Sequence, residues 1–78
     1  MRKETKMIIV SQVKKCIFNF DNIVGLYTEE TVIYVSTIDG LTTIIGRYDT
    51  EERTLEILKD IPKCYENEQI RVLMMPEK

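Results

Sequence analysis

Hydrophobic positions along the chain fall into short runs of period two, interrupted once by a stretch of helical period. Met7 to Val10 is an unbroken β-prone run closed by Ser11-Gln12, and it predicts a short buried strand. From Val13 to Phe20 the side chains alternate, placing Cys16, Phe18 and Phe20 on a core face and Lys15, Ile17 and Asn19 on the opposite one. Asp21-Asn22 supplies turn chemistry, because both side chains hydrogen-bond nearby backbone, and Ile23 to Thr28 follows as a third strand. Gly25 inside that strand points to a bulge or a close backbone approach. After a turn at Glu29-Glu30, the runs Thr31 to Ile38 and Leu41 to Tyr48 flank Asp39-Gly40. That pair favours a two-residue hairpin turn with positive φ angles.

The period then changes. Asp49 is placed to cap a helix, and Glu52, three residues on, to reach back to the amide of the cap. Leu55, Leu58 and Ile61, flanked by Ile57, Cys64 and Tyr65, form a stripe suited to lie on a sheet. Glu51 and Glu52 suit the positive end of the helix dipole. Pro62 leaves two outcomes open, an end near Ile61 or a kinked continuation to about Asn67. Gln69 to Met75 resumes the alternation and Pro76 stops it. The expected fold is α+β: a curved antiparallel sheet of about five strands, one amphipathic helix near the C-terminus, and a final strand beyond it. Residues 1–78 form a single domain, with 1–6 expected to be a flexible N-terminal extension. Because the final strand is apolar on both faces, neither is expected to stay in water, which points to pairing with the sheet edge or with a second subunit.

A chain of 78 residues buries only about 60% of its unfolded surface, so self-association into a homo-oligomer is the expected source of extra stability. The 44% apolar and 31% charged fractions are those of an ordinary globular domain. Eleven basic and 13 acidic residues leave a net charge of -2, which disfavours nucleic acid and anionic membranes as partners. The Met7–Val10 run is too short for a signal-peptide core or a membrane span, which points to the cytoplasm of a bacterial host cell. Cys16 and Cys64 lack metal-ligand spacing and the chain has no histidine, so neither a structural zinc nor any other cofactor is expected. Both thiols read as small hydrophobes in a reducing compartment.

The missing histidine also removes the usual serine and cysteine triads. Lys15 and Cys16 point to opposite faces of a strand, so one cannot activate the other. The carboxylate pairs at 29–30, 49–52 and 66–68 read as turn, cap and solvated acids, and no glycine belongs to a phosphate-cradling loop. The chain is therefore read as a binding protein and not an enzyme. Arg47, Tyr48, Arg53 and Arg71 are the candidate contacts for a small anionic, nucleotide-type ligand, with Tyr34 or Tyr48 able to stack on a base. The competing reading pairs Arg53 with a helix glutamate and leaves Arg47 in water. The basic residues Arg2, Lys3, Lys6, Lys14 and Lys15 are interrupted by acids and read as a solvated edge.

The segments Met7 to Gln12, Asn19 to Ile23, Gly46 to Arg53 and Met75-Pro76-Glu77 together resemble a group of small proteins carried by phages and integrated mobile elements of Gram-positive bacteria. Val13 and Pro62 depart from the group's pattern. The resemblance implies an accessory protein that counters host anti-phage defence. It would do so by sequestering a nucleotide-type immune signal in an oligomer, or by blocking a defence effector such as a CRISPR nuclease. A small DNA-contacting regulatory module is a third expectation.

Overall fold

The computed structural model describes residues 7–67 and 71–78. The expected N-terminal extension, with Arg2, Lys3 and Lys6, lies outside them, as do Gln69 and Ile70 of the expected final strand. The fold is α+β, with six strands in two open three-stranded sheets, one helix, and a last strand after it. In chain order the elements are β1 (Ile8–Val10), β2 (Ile17–Asn19), β3 (Ile23–Glu29), β4 (Val32–Thr37), β5 (Thr42–Arg47), α1 (Glu51–Glu66) and β6 (Val72–Met74). A short 3-10 turn at Phe20–Asn22 links β2 to β3.

The single curved sheet expected from the pattern is instead divided in two. One sheet has the order β2-β1-β6, with β1 antiparallel to β2 and parallel to β6; the other is the antiparallel meander β3-β4-β5. The final strand therefore pairs within the chain. Residues 13–15, expected to begin the second strand, belong instead to a turn over 12–15 in which Lys14 adopts a φ of 63°. Only from Ile17 does the alternation become a strand, and its faces are those the pattern indicated, with Phe18 turned inward and Ile17 and Asn19 outward.

Gly25 does mark a bulge, since the register slips between Ile23 and Gly25. A second slip at Ile45 has a larger effect. It puts Ile45 and Gly46 on the inner side in succession and resets the alternation, so that Tyr48 points inward over Gly46. The β4–β5 turn is a three-residue loop, not the expected two-residue one. Thr37 N–H donates to Leu41 O at 3.0 Å, Gly40 N–H donates to Thr37 O at 2.9 Å, and of the pair Asp39-Gly40 only Gly40 has positive φ, +90°.

The helix cap is Thr50, one residue beyond the expected Asp49. Its backbone is extended, its hydroxyl accepts from Arg53 N–H at 3.1 Å, and Thr54 returns a bond from its own hydroxyl to Thr50 O at 2.8 Å. The buried stripe also differs from the expected one. Thr54, Ile57 and Ile61 face the core while Leu55, expected there, is 45% exposed. Of the two outcomes left by Pro62, the helix continues through it to Glu66. Its far end is tied down by Tyr65, whose ring stacks on Phe20 with centroids 4.5 Å apart. The helix packs on β3 and β4, and Met7, Ile9, Ile33, Val35, Ile45, Tyr48, Ile57, Ile61 and Met75 form the core between the layers.

Candidate functional site

Register decides which side chains share the outer face of the β2-β1-β6 sheet. Ile8 is level with Asn19 on one side and Val72 on the other, and Val10 is level with Ile17 and Met74. The inward row, Phe18, Ile9 and Leu73, belongs to the core or packs against it. Two outward rows therefore remain, Asn19-Ile8-Val72 and Ile17-Val10-Met74, with five apolar side chains, one amide and no charge. Ile8 and Val10 are half-buried by their neighbours, whereas Ile17, Val72 and Met74 remain 65%, 52% and 51% exposed. A sheet face of this composition normally lies against something.

The outer face of β3-β4-β5 differs. Its rows run Glu29-Val32-Arg47, Tyr27-Tyr34-Ile44 and Gly25-Ser36-Thr42, a mixed surface that includes an acid and a base. The Tyr27 and Tyr34 rings stack on each other with centroids 5.2 Å apart.

No family model matches the chain, and no curated protein or solved structure matches it either. The surface itself is therefore the guide to what the chain does.

The five residues singled out for an anionic ligand share no single hollow among the described residues, although Arg53 lies near enough to Tyr48 for its charge to act on the hydroxyl. Tyr48 is 7% exposed, its ring over Gly46 and its hydroxyl donating to Pro76 O at 2.9 Å, which makes it a core residue. Burial pushes that hydroxyl above its ordinary pKa of 10.0, and the positive charge of Arg53 pulls it partly back. The Arg53 guanidinium donates to the main-chain oxygen of Lys78 through Nε and Nη2, at 3.0 and 2.9 Å, and through Nη1 to Glu56. Arg47 is exposed on β5, and its main chain is gripped by Gln12. Arg71 is exposed before β6, where its carbonyl accepts from Ile8 N–H at 2.9 Å. Tyr34 is half-buried against Tyr27. Arg47 and Arg53 line separate hollows of about 170 and 130 Å³, and the other three line neither.

Gln12 is a structural residue that the sequence pattern did not disclose. Its main-chain N–H donates to Ile45 O at 2.9 Å. Its side-chain amide accepts from Arg47 N–H at 2.8 Å and donates to Arg47 O at 2.8 Å and to Glu77 O at 2.9 Å. An amide that both donates and accepts can stand in for a strand residue, and here it extends the β5 edge and fastens the C-terminal segment to it. Lys14 reinforces that fastening with an ion pair to Glu77 at 2.8 Å. Among the described residues no helix is long and apolar enough to cross a membrane, and no three His, Cys, Asp or Glu side chains cluster as a metal site.

Proposed function

We propose that this protein is a non-enzymatic recognition module that works through protein–protein contact, and that the outer face of β2-β1-β6 is its assembly surface, occupied by a second copy of the chain. The observation that carries the reading is the composition of that face, five apolar side chains and no charge over two complete rows. A two-fold axis sets a surface against itself, so a charged face would meet its own sign, and this one does not.

Area supports a weak, reversible dimer. At about 0.8 kcal/mol per methylene and about 25 cal/mol per Å², each carbon accounts for roughly 30 Å². Scaled by exposure, Ile17, Val72 and Met74 with their half-buried neighbours then offer on the order of 200–250 Å² of apolar surface per copy. Two copies would gain about 11 kcal/mol, against a cost of association of about 4–15 kcal/mol. Gain and cost are comparable, so the dimer forms with micromolar or weaker affinity and responds to concentration.

The accessory role implied by the resemblance, blocking a defence component, suits a protein that works by occupying surfaces. Sequestration of an anionic signal would have to use contacts built between copies, and Arg71, next to Val72, is the candidate arginine nearest this face. Sedimentation velocity over a concentration series tests the proposal. The native chain should shift from monomer toward dimer, and Val72→Lys, a change at an exposed position, should stay monomeric with unaltered circular dichroism. A native chain that remains monomeric throughout the series refutes it.

A further inference from the structure

The two sheets leave an open groove of about 320 Å³ where the edge of β2 faces the end of the β4–β5 hairpin. Ile17 and Phe18 line one side, Ile38, Leu41 and Thr43 the other, and among the described residues Asp39 is the sole charged one in its wall. Ile38 and Leu41 are 67% and 63% exposed, high values for large aliphatic side chains.

Both flanking strands are sheet edges. Met7 O accepts from Phe20 N–H and Ser11 N–H donates to Cys16 O, at 2.9 Å each. By the alternation of an antiparallel ladder, Phe18 pairs toward β1 while the main-chain groups of Ile17 and Asn19 point toward the open side. On the opposite edge, the bond from Thr37 N–H to Leu41 O sets the same alternation and turns Thr42 outward. Further along β5 this edge already takes a strand-like partner, since Gln12 bonds to Ile45 and Arg47 as an added strand would. At about 30 Å³ per water the groove holds about ten, room for a short stretch of side chains.

We infer that this groove takes up an extended segment of a partner protein, one that alternates β-branched residues and carries a lysine or arginine to meet Asp39, as an added strand between the two sheets. Main-chain bonds to the β2 and β5 edges give the affinity, Ile38 and Leu41 receive alternate apolar side chains, and Asp39 sets the charge preference. The Thr37 hydroxyl donates to the Asp39 carboxylate and, as the largest influence, holds it below the ordinary carboxylate range, so the acid is ionised at neutral pH. This site goes beyond the self-association proposed above and uses a different surface, with Ile17 on the border of both.

The test is titration of the isotope-labelled protein with an octapeptide alternating valine and threonine around one central lysine, followed by amide chemical shifts and, with a fluorescent label, by anisotropy. The expected shifts fall on Ile17, Asn19 and Thr42. Leu41→Lys abolishes binding without unfolding the chain, and Asp39→Asn weakens it by roughly twofold to fivefold, the range of an exposed charge pair. The same peptide with glutamate for lysine binds more weakly. Val72→Lys, which breaks the dimer, leaves peptide affinity unchanged. Absence of shifts at the three amides, shifts confined to another surface, equal affinity for the glutamate peptide, or loss of binding in Val72→Lys would each overturn the assignment.

Discussion

Gly46 is the position where the packing argument is most exposed to test. The bulge at Ile45 brings Gly46 and Tyr48 onto the same inner side, and the Tyr48 ring lies over the glycine. A methyl group at Gly46 would sit 2.7 Å from Tyr48 Cε2 and Oη, against the roughly 3.5–4.0 Å of ordinary carbon contacts. In Gly46→Ala the ring must therefore retreat by about 1 Å. Overpacking of that kind costs about 1–3 kcal/mol. The same retreat stretches the 2.9 Å bond from the Tyr48 hydroxyl to Pro76 O, losing a further 0.5–1.5 kcal/mol or so. Alanine returns about 0.4–1 kcal/mol by restricting the unfolded chain, so the net loss is about 2 kcal/mol. Urea denaturation should show a lower midpoint at unchanged slope. In a Tyr48→Leu background, where no ring covers the glycine, the added cost of Gly46→Ala should shrink to less than about half. A Gly46→Ala protein as stable as the native one, or an undiminished cost in the Tyr48→Leu background, would show that the Tyr48 ring does not close the space over Gly46.

Other expectations follow from single contacts. Gln12→Ala removes three side-chain bonds to main chain and should cost about 1–3 kcal/mol, with amide exchange at Arg47 speeding up more than at buried Val35. Pro62 is exposed inside α1 and gives no N–H to the Leu58 carbonyl, so Pro62→Ala should raise the thermal midpoint by stabilising the helix by about 2 kcal/mol. The folded state raises the Tyr48 pKa above 10.0 and so holds that proton more tightly than the unfolded chain does. Its contribution to stability is complete below pH 10 and is lost as pH rises through the folded value. Denaturation midpoints measured across the alkaline range should fall more steeply for the native chain than for Tyr48→Phe.

Local pattern carried the elements further than their assembly. β3, β4 and β5 were legible because β-branched runs were separated by Glu29-Glu30 and Asp39-Gly40, and the faces of Ile17, Phe18 and Asn19 followed from period two alone. Alternation reports which face a residue occupies but not which strand lies beside it. The parallel pairing of β6 with β1, from opposite ends of the chain, and the division into two sheets were therefore hidden. The helix cap lies one residue beyond the expected Asp49 because Asp49 and Thr50 are both good caps. Separately, Thr54 and not Leu55 lies in the core, because the stripe is expected from apolar type alone, and the Thr54 hydroxyl is tolerated there because it donates to Thr50 O. Chemical type marks the candidate ligand residues, whereas only tertiary structure gives each its partner: Tyr48 turns inward to Pro76, Arg53 reaches Lys78 and Glu56, and Tyr34 stacks on Tyr27. By contrast, the two-sided apolar character of the last strand was visible, and its outward half, Val72 and Met74, lies on the surface on which the functional proposal now rests.

That surface is tested most directly by amide chemical shifts recorded as the native protein is concentrated, because they report residue by residue where copies meet. Concentration-dependent shifts should cluster on Ile8, Val10, Ile17, Val72 and Met74 and be absent from the Tyr27-Tyr34 face. Shifts centred on the Tyr27-Tyr34 face, or none on β1, β2 and β6 while dimers form, would overturn that assignment.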